Sequence, residues 1–107
     1  MDEPTRVRSA ALFAALGHPT RVSIVELLAE HERTVGEVSA ALEIGQSSAS
    51  QHLAALLRAG ALAVTQRGTS RHYRLRGPRI LRVVDLISEF CDVQGLKGEP
   101  VEGEDDL

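Results

Sequence analysis

At Gly60 the hydrophobic pattern of the chain changes period. Upstream, in "VSIVELLAE" and "SASQHLAALLRAG", apolar residues recur every three to four positions; downstream, in "LAVTQR" and "RHYRLR", they alternate. Helical spacing up to Gly60, two short alternating runs, then helical spacing again excludes both a pure helical bundle and a sheet protein. Such a chain must attach one small hairpin to a helical body. Its 107 residues suffice for one domain with a modest core. That core has to be aliphatic, because aromatic residues make up only 3% and Trp is absent.

Local signals place the elements. "EPTRVRSAALFAALG" predicts a first helix, with Pro4 in its first turn and Gly17 at its end. Pro19 opens a second in "HPTRVSIVELLAEH", whose apolar side is Ile24, Val25, Leu27 and Leu28. Thr34 and Glu37 have capping-box spacing at the head of "TVGEVSAALEI". Gly45 then breaks the chain before a fourth helix, "GQSSASQHLAALLRAG". In the hairpin, Leu62, Val64, Tyr73 and Leu75 point one way; Ala63, Thr65, Arg67, His72, Arg74 and Arg76 point the other, with "GTS" as the turn. Pro78 starts a last helix, "PRILRVVDLISEFCDVQ". Residues 1–94 are thus read as the domain, and 95–107, rich in Gly and acid, as a disordered tail. Two short helices meeting at a turn, followed by a basic hairpin, describe a winged helix-turn-helix: mainly α with a small β-hairpin wing, of the α+β class.

Charge is segregated along this layout. Residues 1–43 carry four Arg and seven acids, residues 44–84 seven Arg and no acid, and residues 85–107 one Lys and eight acids. A solvated face mixes signs, whereas a long carboxylate-free block is suited to a polyanion. At 100° per residue the fourth helix puts Ala49, Leu53, Leu56 and Leu57 on one arc. Ser47, Gln51 and Arg58 lie opposite, flanked by Ser48, Ala54 and Ala55, with Ser50 and His52 on the borders. Hydrogen-bonding side chains with small alanines between them suit a helix entering a DNA major groove. The candidate DNA-binding residues are therefore Gln46, Ser47, Ser48, Ser50, Gln51, His52 and Arg58 in the helix, and Arg67, Arg71, His72 and Arg74 around the hairpin tip. Structural readings stand beside these: Ser47 and Ser50 as caps, His52 as a packed border residue, Arg71 and Arg74 as solvated strand residues.

Three stretches, "LGHPTRVSIVELL", "SASQHLAALLRAGAL" and "RGTSRHYRL", together resemble the ArsR/SmtB family of small dimeric bacterial transcription regulators over about residues 8–90. Ser50-Gln51-His52-Leu53 matches the family's Ser-x-His-Leu in the recognition helix. The resemblance implies a homodimer through the first and last helices and a palindromic operator, typically bound by a repressor that an effector releases. Val7, Ala10, Phe13, Ala14, Leu81, Val84 and Ile87 are the candidate dimer residues. The last helix supports a dimer independently, since Ile80, Leu81, Val83, Val84, Leu86, Ile87 and Phe90 cover more than one face.

The family's metal sites do not transfer. Thr34, Gly36 and Ser39 stand where arsenic- and cadmium-type members carry cysteines. Asp85 is present, but Ile87 replaces the histidine of zinc-type members. A thiol switch needs two cysteines, and Cys91 is alone. No cofactor is expected. An alternative is a nickel- or zinc-responsive regulator with an unusual site from His18, His31, Cys91, Asp92 and the tail, although His18 also suits a cap before Pro19. The tail is further read as a brake competing with DNA for the wing. A second alternative is a winged-helix protein-interaction module, against which the carboxylate-free block argues. An enzyme would need a nucleophile elbow, a P-loop or a hydrolase motif, and the sequence has none. Expected partners are double-stranded DNA and a second copy of the chain, not a membrane. With no long apolar run and an acidic "MDEP" start, the expected location is cytoplasmic.

Overall fold

The computed structural model describes residues 1–94; the segment 95–107, read above as a disordered tail, lies outside the described residues. The elements run α1 (Glu3–Leu16), α2 (Pro19–Glu30), α3 (Val35–Leu42), α4 (Gln46–Arg58), β1 (Leu62–Arg67), β2 (Ser70–Leu75) and α5 (Arg79–Gln94). Each early helix begins where its sequence supplies a cap. Asp2 accepts from the Thr5 N–H, and His18 Nδ1 accepts from the Thr20 N–H at 3.2 Å. At α3, Thr34 Oγ1 accepts from the Glu37 N–H while the Glu37 carboxylate accepts from the Thr34 N–H at 2.8 Å. That backbone bond holds the Glu37 carboxyl below the usual carboxylate range.

The turn between α3 and α4 is tied down from both sides. Glu43 adopts a left-handed conformation with φ 56°, a position glycine usually fills, and the Ile44 N–H reaches back to the Ser39 carbonyl at 3.1 Å. Ser39 Oγ donates to the Ile44 carbonyl, fixing where α4 starts. The hairpin turns in two residues, Gly68–Thr69, with Gly68 at φ 62°. Ser70 therefore belongs to β2, pairing with Arg67, and not to the turn as the "GTS" reading had it. The wing is also fastened to the body: Arg33 and Tyr73 exchange both backbone hydrogen bonds, at 3.0 and 2.8 Å, adding a one-residue third strand.

The core is aliphatic, as its composition required. Ile24, Val25, Leu28, Val38, Ala49, Leu53, Leu56 and Leu62 are buried, with Tyr73 as the single buried aromatic. Val84 joins this cluster at 7% exposure. It packs inside its own domain and has almost no surface to offer a dimer partner, which corrects its placement at the interface. Helical spacing marks Val84 as apolar but not which of the two apolar sides of α5 meets α2. Further along α5, Leu86, Ile87, Phe90 and Val93 are more than half exposed, and so are Val7 and Phe13 on α1. Ala10 and Ala14 are exposed and Leu81 half-buried. Phe13 and Ile87 meet across an apolar cavity of about 360 Å³ between α1, α2 and α5.

Candidate nucleic-acid interface

Helix α4 shows the division of faces its sequence called for. Ala49, Leu53 and Leu56 are buried; Gln46, Ser47, Ser48, Ser50, Gln51 and Arg58 are exposed. Ala54 and Ala55 are half-buried, not open, because α1, α2, α3 and β1 all pack around this helix and narrow its free arc. Ser47 does not cap it. The N-cap is Gly45, which has no side chain to offer, so the first-turn amides are left without a side-chain partner. An uncapped helix start with no carboxylate is suited to a phosphate. Gln46 lies close to α3: a Cβ built at Gly36 would sit in ordinary van der Waals contact with Gln46 Nε2, at 3.6 Å.

His52 is not a free groove residue. It is half-buried; its Nδ1 accepts from Arg21 Nε at 3.1 Å, and its ring lies 4.5 Å from that of His18. Burial, with His18 and Arg21 nearby, lowers its pKa. Accepting at Nδ1 requires the neutral ring with its proton on Nε2.

The four basic wing residues do not share one tip. Strand pairing puts Gln66 and Arg71 on the same face as Tyr73, and Arg67, His72 and Arg74 on the other. Arg71 folds over Tyr73, its Cζ 5.5 Å from the ring centroid. It borders a crevice of about 430 Å³ between the wing, the start of α3 and Ser50 of α4. The hydroxyl-bearing residues Thr34, Ser50, Thr69, Ser70 and Tyr73 line that crevice, and among the described residues Arg71 is the only charged one in its lining. Arg74 pairs with Ala63 near the base of the hairpin, exposed but remote from the turn. Arg67 is already engaged: it forms an ion pair with Glu32, which also lies 3.9 Å from His72 Nδ1. The carboxylate-free stretch therefore borrows a carboxylate from the loop between α2 and α3. Sequence reasoning missed Glu32, Arg21 and Arg33 because each acts across more than thirty residues of chain.

Among the described residues no three His, Cys, Asp or Glu side chains gather as a metal site. Two of the residues proposed for an unusual site have local partners: His18 caps α2, and His31 Nδ1 lies 2.8 Å from the Glu32 carbonyl. No single described helix is long and apolar enough to cross a membrane.

A recognition-type helix flanked by a basic wing is shared with known proteins. Residues 18–63 match the family model described as bacterial regulatory protein, arsR family. The HTH-type transcriptional regulator Rv0081 of Mycobacterium tuberculosis is 37% identical over 84 residues, spanning 78% of this chain and 74% of that one. The chain belongs to the ArsR family. Family membership makes it a transcriptional regulator with a winged helix-turn-helix DNA-binding fold, not an enzyme. The transcriptional activator HlyU of Vibrio cholerae is 31% identical, over 83% of each chain. The biofilm growth-associated repressor of Agrobacterium fabrum is 35% identical, over 77% of this chain and 71% of that one. The homodimeric winged helix-turn-helix DNA-binding domain of Mb0332 from Mycobacterium bovis superposes with a TM-score of 0.77 at 27% identity, covering 95% of both chains.

Proposed function

We propose that this protein is a homodimeric repressor that binds an inverted-repeat operator, with α4 in the major groove and the wing along the flanking backbone. The observation that carries this is the exposed face of α4. Ser47, Ser48, Gln51 and Arg58 form a surface with hydrogen-bonding groups and no carboxylate, next to a crevice lined, among the described residues, by a single charged side chain, Arg71. The dimer reading rests on the uncovered apolar residues of α1 and α5 and on the homodimeric Mb0332 domain. A two-fold dimer presents two recognition helices, which selects half-sites about one DNA turn apart. The repressor reading follows the Agrobacterium relative, and the cytoplasm is where such a partner resides.

Within this arrangement Gln51 reads bases, while Arg71 and the hydroxyls around it receive a phosphate. Selection of preferred sites from a random duplex pool, followed by salt titration, tests the division. Gln51→Ala is expected to relax preference at one base position, by about 1–3 kcal/mol of discrimination, with overall affinity falling less. Arg71→Ala is expected to weaken all duplexes alike and to reduce the salt slope by about one. A protein that recovers no preferred sequence from the pool overturns the proposal.

Arg67 behaves differently in this reading, because Glu32 already neutralises it. Arg67→Ala should change DNA affinity less than Arg71→Ala does. Glu32→Gln should release Arg67 and steepen the salt slope by about one charge. Stability should change by less than about 1 kcal/mol, since the pair is partly exposed. Equal losses for Arg67→Ala and Arg71→Ala would show that Arg67 leaves Glu32 for DNA.

A further inference from the structure

One side chain that ties the flank of the recognition helix to its neighbours belongs neither to the base-reading face nor to the wing. Arg21, near the start of α2, reaches in two directions. Its Nε donates to His52 Nδ1 on α4 at 3.1 Å, and its Nη1 donates to the Ala15 carbonyl at 3.3 Å. Ala15 lies in the last turn of α1, where carbonyls lack helical partners and favour a cation. Arg21 is half-buried and forms no ion pair among the described residues. Its hydrogen bonds are therefore spent on holding α1 and α4 together, and α1 carries the exposed Val7 and Phe13.

We propose that Arg21 is a positioning residue for DNA binding, the strut that fixes the recognition helix against α1, and that its grip on His52 makes operator affinity fall on acidification. The inference rests on the reading of α4 as the DNA-reading helix. Its chemistry is simple. A neutral imidazole has a lone pair at Nδ1 to accept the Arg21 hydrogen; an imidazolium has none and repels the guanidinium. Among the described residues, the titratable and charged groups facing His52 are Arg21 from α2 and His18 from the α1–α2 turn, with no carboxylate to favour the charged ring. Because its native pKa lies below the unfolded value, His52 binds fewer protons in the folded state. The contact is intact above the ordinary imidazole value of 6.5 and is lost as the pH falls through the lowered native value. Protonation elsewhere on the surface adds positive charge and tightens binding to a polyanion. A loss of affinity in acid thus has the opposite sign to the general electrostatic effect.

The test is fluorescence anisotropy on a duplex selected from a random pool, at constant salt, between pH 7.5 and 5.5. Wild type is expected to lose affinity on the order of tenfold across this range. Asn places its carbonyl oxygen where Nδ1 stands and does not titrate. His52→Asn should therefore bind equally well at pH 7.5 and at pH 5.5. Arg21→Ala should bind at pH 7.5 as weakly as wild type does at pH 5.5. Should Arg21→Ala fail to fold, as judged by its thermal melt, His52→Asn decides alone. An acid loss in His52→Asn equal to that of wild type overturns the proposal. So does a tenfold loss in His52→Asn at pH 7.5, which would make the His52 ring a direct DNA contact. Selection of no preferred duplex at pH 7.5 removes the reading of α4 itself, a result distinct from either.

Discussion

Replacing Ile87 and Phe90 together with Asp is expected to give a folded monomer whose operator affinity is lower by about 100-fold or more. Both side chains are 55% exposed in the single chain, so a carboxylate at either position costs the domain little. A two-fold interface repeats every substitution on the partner, so four carboxylates would be brought to one apolar contact. DNA binding suffers because two linked recognition helices gain from effective concentration, and a monomer has one. Sedimentation equilibrium and anisotropy on the same samples check both halves. A dimer that survives the double substitution would place the interface away from α5.

The fold was legible because its signals are local. Pro4, Gly17 and Pro19 bound the first two helices, the Thr34–Glu37 pair starts the third, and the period change after Gly60 announces the hairpin; each is a property of a few adjacent residues. The faces of α4 were legible for the same reason, since one arc of a helix follows from residue number alone. What was not legible depends on which elements come together. The sequence reading put Val84 on the dimer side of α5, because periodicity cannot tell the apolar stripe that meets α2 from the one left bare. It grouped Arg67, Arg71, His72 and Arg74 as one basic tip. A two-residue turn and the strand register send Arg71 to the α4 side and give Arg67 and His72 to Glu32. Charge segregation along the chain, the strongest clue to a polyanion surface, therefore overstated how many cations that surface has free.

The same distinction between local pattern and packing separates what α4 reads from what holds it. Leu53→Ala is expected to destabilise the protein by about 3 kcal/mol and to lower Tm by roughly 10–20 °C. Leu53 is fully buried and belongs to the same core cluster as Leu56, Ala49 and Val38, with α3 packed against α4. Such a loss is a large share of the roughly 5–15 kcal/mol that keeps a domain of this kind folded. Its neighbour two positions back, Gln51, is exposed, and its removal should leave the melt unchanged. The two variants should therefore dissociate cleanly: Leu53→Ala changes stability, measured by denaturant titration at fixed protein concentration, yet retains the wild-type base preference well below its Tm. Gln51→Ala does the reverse. A Leu53→Ala protein that is folded and has also lost base preference would mean that reading depends on how firmly α4 is seated. That would shift weight from the outward side chains to the packing beneath them, and to the Arg21–His52 contact that fixes the helix from its flank.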